Sequence, residues 1–148
     1  LPNLPFSVGV LIASFIVAGV GHVRATAWGS ASLGALWLAF SVVPQLWGNT
    51  TFMYAFVIVQ LVAIALMYVA LHAWLMGRVD ASVRASHYAV LTSLLNLPRA
   101  WVPALAPWAL GALGFVGVYA SAGGFQIAMA GLLLAVVAVR RRATDTPA

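Results

Sequence analysis

Apolar residues fill five long stretches of this chain, and short connections separate them. The stretches cover approximately residues 5–23, 27–47, 52–76, 82–113 and 118–139. Each approaches the roughly 20 residues that an α-helix needs to cross a hydrocarbon core about 30 Å thick. Membrane barrels instead use alternating strands of about 10 residues, a pattern that this chain lacks. The pattern predicts an all-α polytopic membrane protein with five transmembrane helices.

Composition supports a membrane location. Of the 148 residues, 64% are hydrophobic and 6% are charged, and the mean hydropathy is +1.06. A water-soluble domain carries about 25% charged residues, so this chain could not cover a globule with a water-compatible surface. The net charge of +5 comes from dispersed arginines rather than a basic patch, which argues against nucleic acid as a partner. The expected partner is the lipid bilayer.

The arginines predict an orientation. They occur in the first connection (Arg24), in the third (Arg78 and Arg84) and at the carboxyl end (140–142). With five helices these places fall on one side of the membrane, which the positive-inside rule makes cytoplasmic. The prediction is therefore N-out and C-in, with an outer loop remnant at 1–4 and a cytoplasmic basic tail at 140–148. The arginine-rich, lysine-free composition is typical of bacteria and favours the inner membrane.

The fourth stretch carries a polar track, defined here as Tyr88, Thr92, Asn96 and Arg99. At 100° per residue, the four positions lie within about 80° of one another around a helix axis. An arginine at the bilayer centre costs about 2.5–3.5 kcal/mol on insertion scales, so it must face protein or a water-filled cavity. The functional interpretation is that Arg99 anchors an anionic substrate. The alternative is a structural arginine that pairs with carbonyl groups or with a carboxylate from outside these spans.

The third stretch adds two more candidates. Tyr68 and His72 share one helix face with Tyr54. Tyr68 is a candidate substrate contact. His72 is a candidate proton relay, because an imidazole exchanges protons near neutral pH. An interfacial histidine without a relay role is the alternative.

Other chemistry has little support in the sequence. The chain has no cysteine, and its three histidines are far apart, so no metal site is predicted. Asp80 and Asp145, the acidic residues, both lie on the predicted cytoplasmic side. Without a catalytic constellation or a phosphate-binding glycine loop, we expect neither an enzyme nor a cofactor.

Small residues recur at the spacing of helix-packing motifs. Ser30 and Gly34 are four apart in the second stretch, and Ala120, Gly124 and Ala128 continue the same spacing in the fifth. Such positions allow helix backbones to approach closely in lipid. The pattern predicts tight packing through these faces.

The fourth stretch resembles one helix of a known transporter superfamily. Residues 85–99 read ASHYAVLTSLLNLPR. They are similar to the eleventh helix of major facilitator superfamily transporters, in the branch of muropeptide permeases and acetyl-coenzyme A transporters, which reads approximately ATQ[YF]ALLSSLxxLGR. Ser86, His87 and Pro98 depart from that pattern. The first connection also lacks the family's Gly-x-x-x-Asp-Arg-x-Gly loop.

The resemblance implies that the five helices correspond to helices eight to twelve of a twelve-helix bundle, with the first, third and fourth lining the cavity. The expected function is then the C-terminal part of a secondary active transporter that moves an anionic or amphiphilic small molecule by alternating access. Proton coupling is implied by the resemblance alone. The required partner would be the missing N-terminal helices or another membrane subunit. The alternative is a non-transporting subunit, or a degenerate fragment, of a larger membrane complex.

Overall fold

The computed structural model describes residues 4–77 and 84–144, all of which belong to helices or short turns. Four α-helices follow one another, with a short 3₁₀ turn at Pro44–Leu46: α1 (Leu4–Val20), α2 (His22–Ser41), α3 (Thr50–Met76) and α4 (Arg84–Thr144). The side chains of residues 84, 85, 87, 95, 98–100 and 140–144 lie outside the described part.

Two glycines divide the helices where the chain turns sharply. Gly114 interrupts α4 with φ 64° and ψ 175°, and Gly21 separates α1 from α2 with φ 81° and ψ 153°. Glycine alone adopts this backbone region readily, because a Cβ atom would clash there. We call residues 84–113 the leading segment of α4 and residues 115–144 its trailing segment. The connection predicted at 114–117 is therefore a single glycine, and Arg24 lies inside α2.

The turn between α2 and α3 is held by two side chains. Trp47 Nε1 donates a hydrogen bond of 3.1 Å to the carbonyl oxygen of Phe40. Asn49 caps α3, because its Oδ1 accepts a hydrogen bond of 3.0 Å from the backbone N–H of Phe52. These contacts explain why α3 begins at Thr50, two residues before the predicted stretch.

Helix α2 lies between α3 and the trailing segment and runs antiparallel to both. A Cβ on Gly34 would lie 2.8 Å from the carbonyl oxygen of Gly123, and one on Gly29 would lie 2.9 Å from the backbone nitrogen of Met67. The predicted face through Gly34 is thus confirmed. Gly124 has nothing within 4 Å of a built Cβ, so the predicted packing face of the fifth stretch is wrong by one residue.

An aromatic cluster closes the end of the bundle near the α2–α3 turn. Phe40 is 4% exposed and stacks on Phe56 with ring centroids 3.9 Å apart. Trp47 and Tyr119 also contact Phe40, at centroid distances of 4.9 and 4.7 Å. The cluster therefore joins α2, α3 and the trailing segment.

The prediction of five membrane spans is not supported. Among the described residues two helical stretches are long and apolar enough to cross a membrane: Thr50–Met76, with mean hydropathy 2.4, and Trp101–Val139, with mean hydropathy 2.1. The second includes parts of both α4 segments. Leu4–Val20 is apolar, but its 17 residues make it shorter than these two stretches. The polar residues of α2 lower the mean hydropathy of α2.

Candidate functional site

The described candidate residues of α3 and of the leading segment meet at one end of these helices. The rings of Tyr68 and His72 lie with centroids 3.9 Å apart, and His72 lies 6.2 Å from Tyr88 in an edge-to-face arrangement. Three of the predicted site residues, on two helices, thus form one aromatic group. The structure places Tyr54, which shares their helix face, at an exposed position three turns or more away.

His72 has a defined ring orientation. Its Nδ1 lies 2.8 Å from the carbonyl oxygen of Tyr68. A carbonyl only accepts hydrogen bonds, so the hydrogen sits on Nδ1, and in the neutral ring Nε2 is an acceptor. Nε2 is buried and has no partner among the described residues. A buried polar atom without a hydrogen bond costs about 1–3 kcal/mol, which a ligand donor would recover.

Thr92 and Asn96 extend the site along the leading segment. Asn96 Nδ2 donates a hydrogen bond of 2.9 Å to the carbonyl oxygen of Thr92, which fixes the orientation of the amide. The hydroxyl of Thr92 is buried and unpaired within the described ranges 4–77 and 84–144. Tyr88, at the beginning of this row, is 37% exposed. The three side chains therefore present hydroxyl and amide groups at successive turns of one face.

The position of Arg99 on this face remains a prediction. Its backbone belongs to α4, and its side chain lies outside the described part of the chain. Helical periodicity places it three residues beyond Asn96 and on the same side of the helix.

No sequence feature indicated the third element of the site. Phe6, on α1, lies against Tyr68 with ring centroids 6.3 Å apart. An apolar residue near the beginning of an apolar helix has no feature that distinguishes it from a lipid-facing one. The consequence is that α1, α3 and the leading segment converge on Tyr68 and His72.

The leading segment has little packing besides this convergence. Within the described residues, α4 meets α3 at few positions, and most of its packing is against α2. Beyond Gly114, Tyr119 makes an aromatic contact with Phe40 of α2, and Phe115 makes one with Trp47 of the α2–α3 turn. Trp101, Leu105 and Trp108 are 57–73% exposed. The polar track therefore belongs to the part of the bundle that has the fewest neighbours.

No group of three His, Cys, Asp or Glu side chains capable of holding a metal occurs in the part of the chain that the structure describes. The described side chains of the site can recognise a ligand through hydrogen bonds and aromatic contacts. Arg99, at its predicted position, would add a positive charge.

No family model, no curated protein and no solved structure matches the chain.

Proposed function

We propose that the chain is the C-terminal part of a secondary active transporter that moves an anionic or amphiphilic metabolite across a membrane by alternating access. The single observation that carries the proposal is the convergence of Tyr68, His72 and Tyr88, together with buried polar atoms on His72 and Thr92 that have no partner among the described residues. Unpaired polar atoms between apolar helices are costly, and a ligand that pairs with them removes the cost.

The membrane arrangement in this proposal has five spanning segments, which are α1, α2, α3 and the two segments of α4. Two stretches of sufficient length and hydropathy support it, together with breaks at Gly21 and Gly114 that let the chain reverse. Six of seven arginines on one side support an N-out and C-in orientation. A bacterial inner membrane is the expected location.

We assign each residue of the proposed site a role in binding the substrate or in accepting a proton. Arg99 pairs with the anionic group of the substrate, while Asn96, Thr92 and Tyr88 contact it along the leading segment. Tyr68 contacts the substrate from α3. His72 accepts a hydrogen bond or a proton through Nε2, which is the atom left unpaired by the bond from Nδ1 to Tyr68.

The exposed surface of the leading segment supports a requirement for further helices that pack against it. Residues 101–105 are all exposed, although they are mostly apolar. A cavity enclosed on all sides needs further helices opposite this surface. The N-terminal helices implied by the major facilitator resemblance would supply them, as would a partner membrane subunit.

An uptake assay tests the role of Arg99. Full-length protein in vesicles is given a panel of radiolabelled carboxylates, and Arg99→Ala is compared with Arg99→Lys. A hydrogen bond to a charged group contributes about 1.5–3 kcal/mol, so Arg99→Ala should lower the apparent affinity about tenfold to a hundredfold, with partial retention in Arg99→Lys.

Arg24→Ala is the matched control, because Arg24 lies in the first turns of α2 and outside the site. It should transport within about twofold of the native protein, since surface charge changes have small effects. Native rates in Arg99→Ala for every anion that the native protein transports would contradict the anchor role.

The same exposed surface also favours a second function, a non-transporting subunit that packs in a larger membrane complex. In that case Trp101 and Trp108 contact a partner helix rather than enclosing a cavity. The two functions differ in the uptake assay. A subunit shows no vesicle uptake of any anion with or without its partner, whereas a transporter half shows uptake when its N-terminal helices are present.

A further inference from the structure

A cleft lies between α2, α3 and the trailing segment. Its volume is about 320 Å³, within the range of small-molecule sites. Its lining is mainly apolar and includes Met67, Leu71 and Met129. On α3, Met67 lies about 100° around the helix from Tyr68, and Leu71 lies about 100° from His72. The described lining of the cleft includes neither Tyr68 nor His72. The cleft is therefore separate from the proposed transport site.

Polar side chains also line the cleft, and two of them form no hydrogen bond within the described residues. Ser30 lines it and is 4% exposed, yet its side chain forms no hydrogen bond with any described residue. Gln126 also lines the cleft and likewise forms no side-chain hydrogen bond in the described part of the chain. Thr26, beside Ser30, donates its hydroxyl hydrogen to the carbonyl oxygen of His22 at 2.8 Å and keeps acceptor capacity.

The rim opens to the outside of the bundle. Phe125 and Met129, on the trailing segment, are 65% and 36% exposed. In the membrane location proposed above, on which this inference depends, such a rim faces lipid. A ligand can then enter sideways from the bilayer without crossing the transport cavity.

We infer that this cleft binds a small neutral amphiphile whose hydroxyl or amide headgroup pairs with Ser30 and Gln126 and whose apolar chain lies along Met67 and Met129. Among the described residues that line the cleft, none has a charged side chain. A charged headgroup would therefore be buried without a partner, which costs far more than a neutral one. Methionines adapt to flexible chains, which suits an alkyl ligand.

Photolabelling in phospholipid vesicles tests the inference with a defined probe, a decanol that carries a diazirine on its chain. The labelled positions are mapped by mass spectrometry with and without excess 1-decanol. We expect saturable labelling at Met67, Met129 and neighbouring cleft positions. Labelling that does not saturate, or that is equally strong at exposed Phe15 and Trp108, would overturn the inference because it would report bulk lipid contact.

Matched variants locate the headgroup. Ser30→Ala and Gln126→Leu should each lower the apparent affinity of the probe about fivefold or more, since each removes a hydrogen bond worth about 1 kcal/mol or more. Ser32→Ala is the control for the first, because Ser32 is on the same helix, exposed and bonded to the carbonyl oxygen of Trp28. Gln60→Leu is the control for the second. Equal affinities in test and control variants would contradict the proposed headgroup contacts.

This result is independent of transport. Saturable labelling of the cleft in vesicles that take up no anion would support amphiphile binding and contradict the transport function. Uptake that depends on Arg99, without saturable labelling, would support the transport function and exclude amphiphile binding in the cleft.

Discussion

The leading and trailing segments of α4 are joined at Gly114, but the rest of the chain meets them in different ways. The trailing segment packs on α2 so closely that Gly34 and Gly123 leave no room for a methyl group, and Tyr119 joins the aromatic cluster. The leading segment has few neighbours among the described residues and carries Tyr88, Thr92 and Asn96. The trailing half of α4 thus stabilises the fold, and the leading half carries the candidate site.

The difference follows from side-chain chemistry. Glycine and alanine in the trailing segment let two backbones approach, which is how helices associate tightly in lipid. The leading segment has a row of polar side chains, in which the buried Thr92 hydroxyl has no partner among the described residues. Such an atom disfavours packing against apolar side chains unless it finds a partner. We therefore expect substitutions in the trailing half and its neighbours to change stability, and substitutions in the polar track to change function.

The largest effect is expected at the aromatic cluster. Phe40→Ala removes a ring that is 4% exposed and contacts four other rings. Its free energy of unfolding should fall by about 3–5 kcal/mol. Phe15→Ala, at a position 80% exposed, is the matched control and should change stability little. Chemical denaturation of the detergent-solubilised protein measures both, and equal losses would contradict the assignment of Phe40 to the core.

The next effect is expected at the α2–trailing segment contact. Gly34→Ala places a methyl group 2.8 Å from the carbonyl oxygen of Gly123, so it should lower the free energy of unfolding by about 1–3 kcal/mol. Gly124→Ala, at an open helical position, should be neutral or slightly stabilising. If Gly124→Ala lowered the free energy of unfolding more than Gly34→Ala, α2 would face Gly124 rather than Gly123. The same denaturation assay decides between them.

The junction between the two segments should be similarly sensitive. Gly114→Ala forces a side chain into a backbone region that only glycine adopts readily, at a cost of about 1–3 kcal/mol. Gly111→Ala, three residues earlier in open space, should stabilise the helix by up to about 1 kcal/mol. A thermal shift in detergent compares them. A neutral Gly114→Ala would mean that the helix is continuous at this point.

The smallest effect on stability is expected in the polar track. Thr92→Val keeps the shape of the side chain and removes a buried hydroxyl that has no partner among the described residues. Its free energy of unfolding should stay within about 0.5 kcal/mol of the native value or rise. Uptake of the transported anion should nevertheless weaken. A large loss of stability would show that Thr92 has a structural partner instead.

Several features could be predicted because they depend on local sequence. The third stretch at 52–76 agrees with α3 at Thr50–Met76, and the glycine at 114 marks the break in α4. Helical spacing also placed Tyr68 with His72 on one face, and the structure brings Tyr88 to them. These properties follow from periodicity and from the backbone freedom of glycine.

Other features depend on neighbours that the sequence does not name. Gly123 and Gly124 are adjacent and equally small, so spacing could not show which one faces α2. Phe6 was missed because its contact with Tyr68 comes from another helix. The five predicted spans assumed uniform apolar helices, whereas α2 includes Arg24 and several hydroxyl side chains.

In the proposed transporter, the polar track of the leading segment faces a water-filled cavity. The chain has no cysteine, so single cysteines can be placed at Thr92 and Asn96, and at Ser93 and Leu97 as exposed neighbours on other faces. Their reaction with a membrane-impermeant methanethiosulfonate reagent is measured in vesicles. We expect fast modification at 92 and 96 and slow modification at 93 and 97, because thiols react as thiolates in water. Equal rates at all four positions, or faster reaction at 93 and 97, would contradict it.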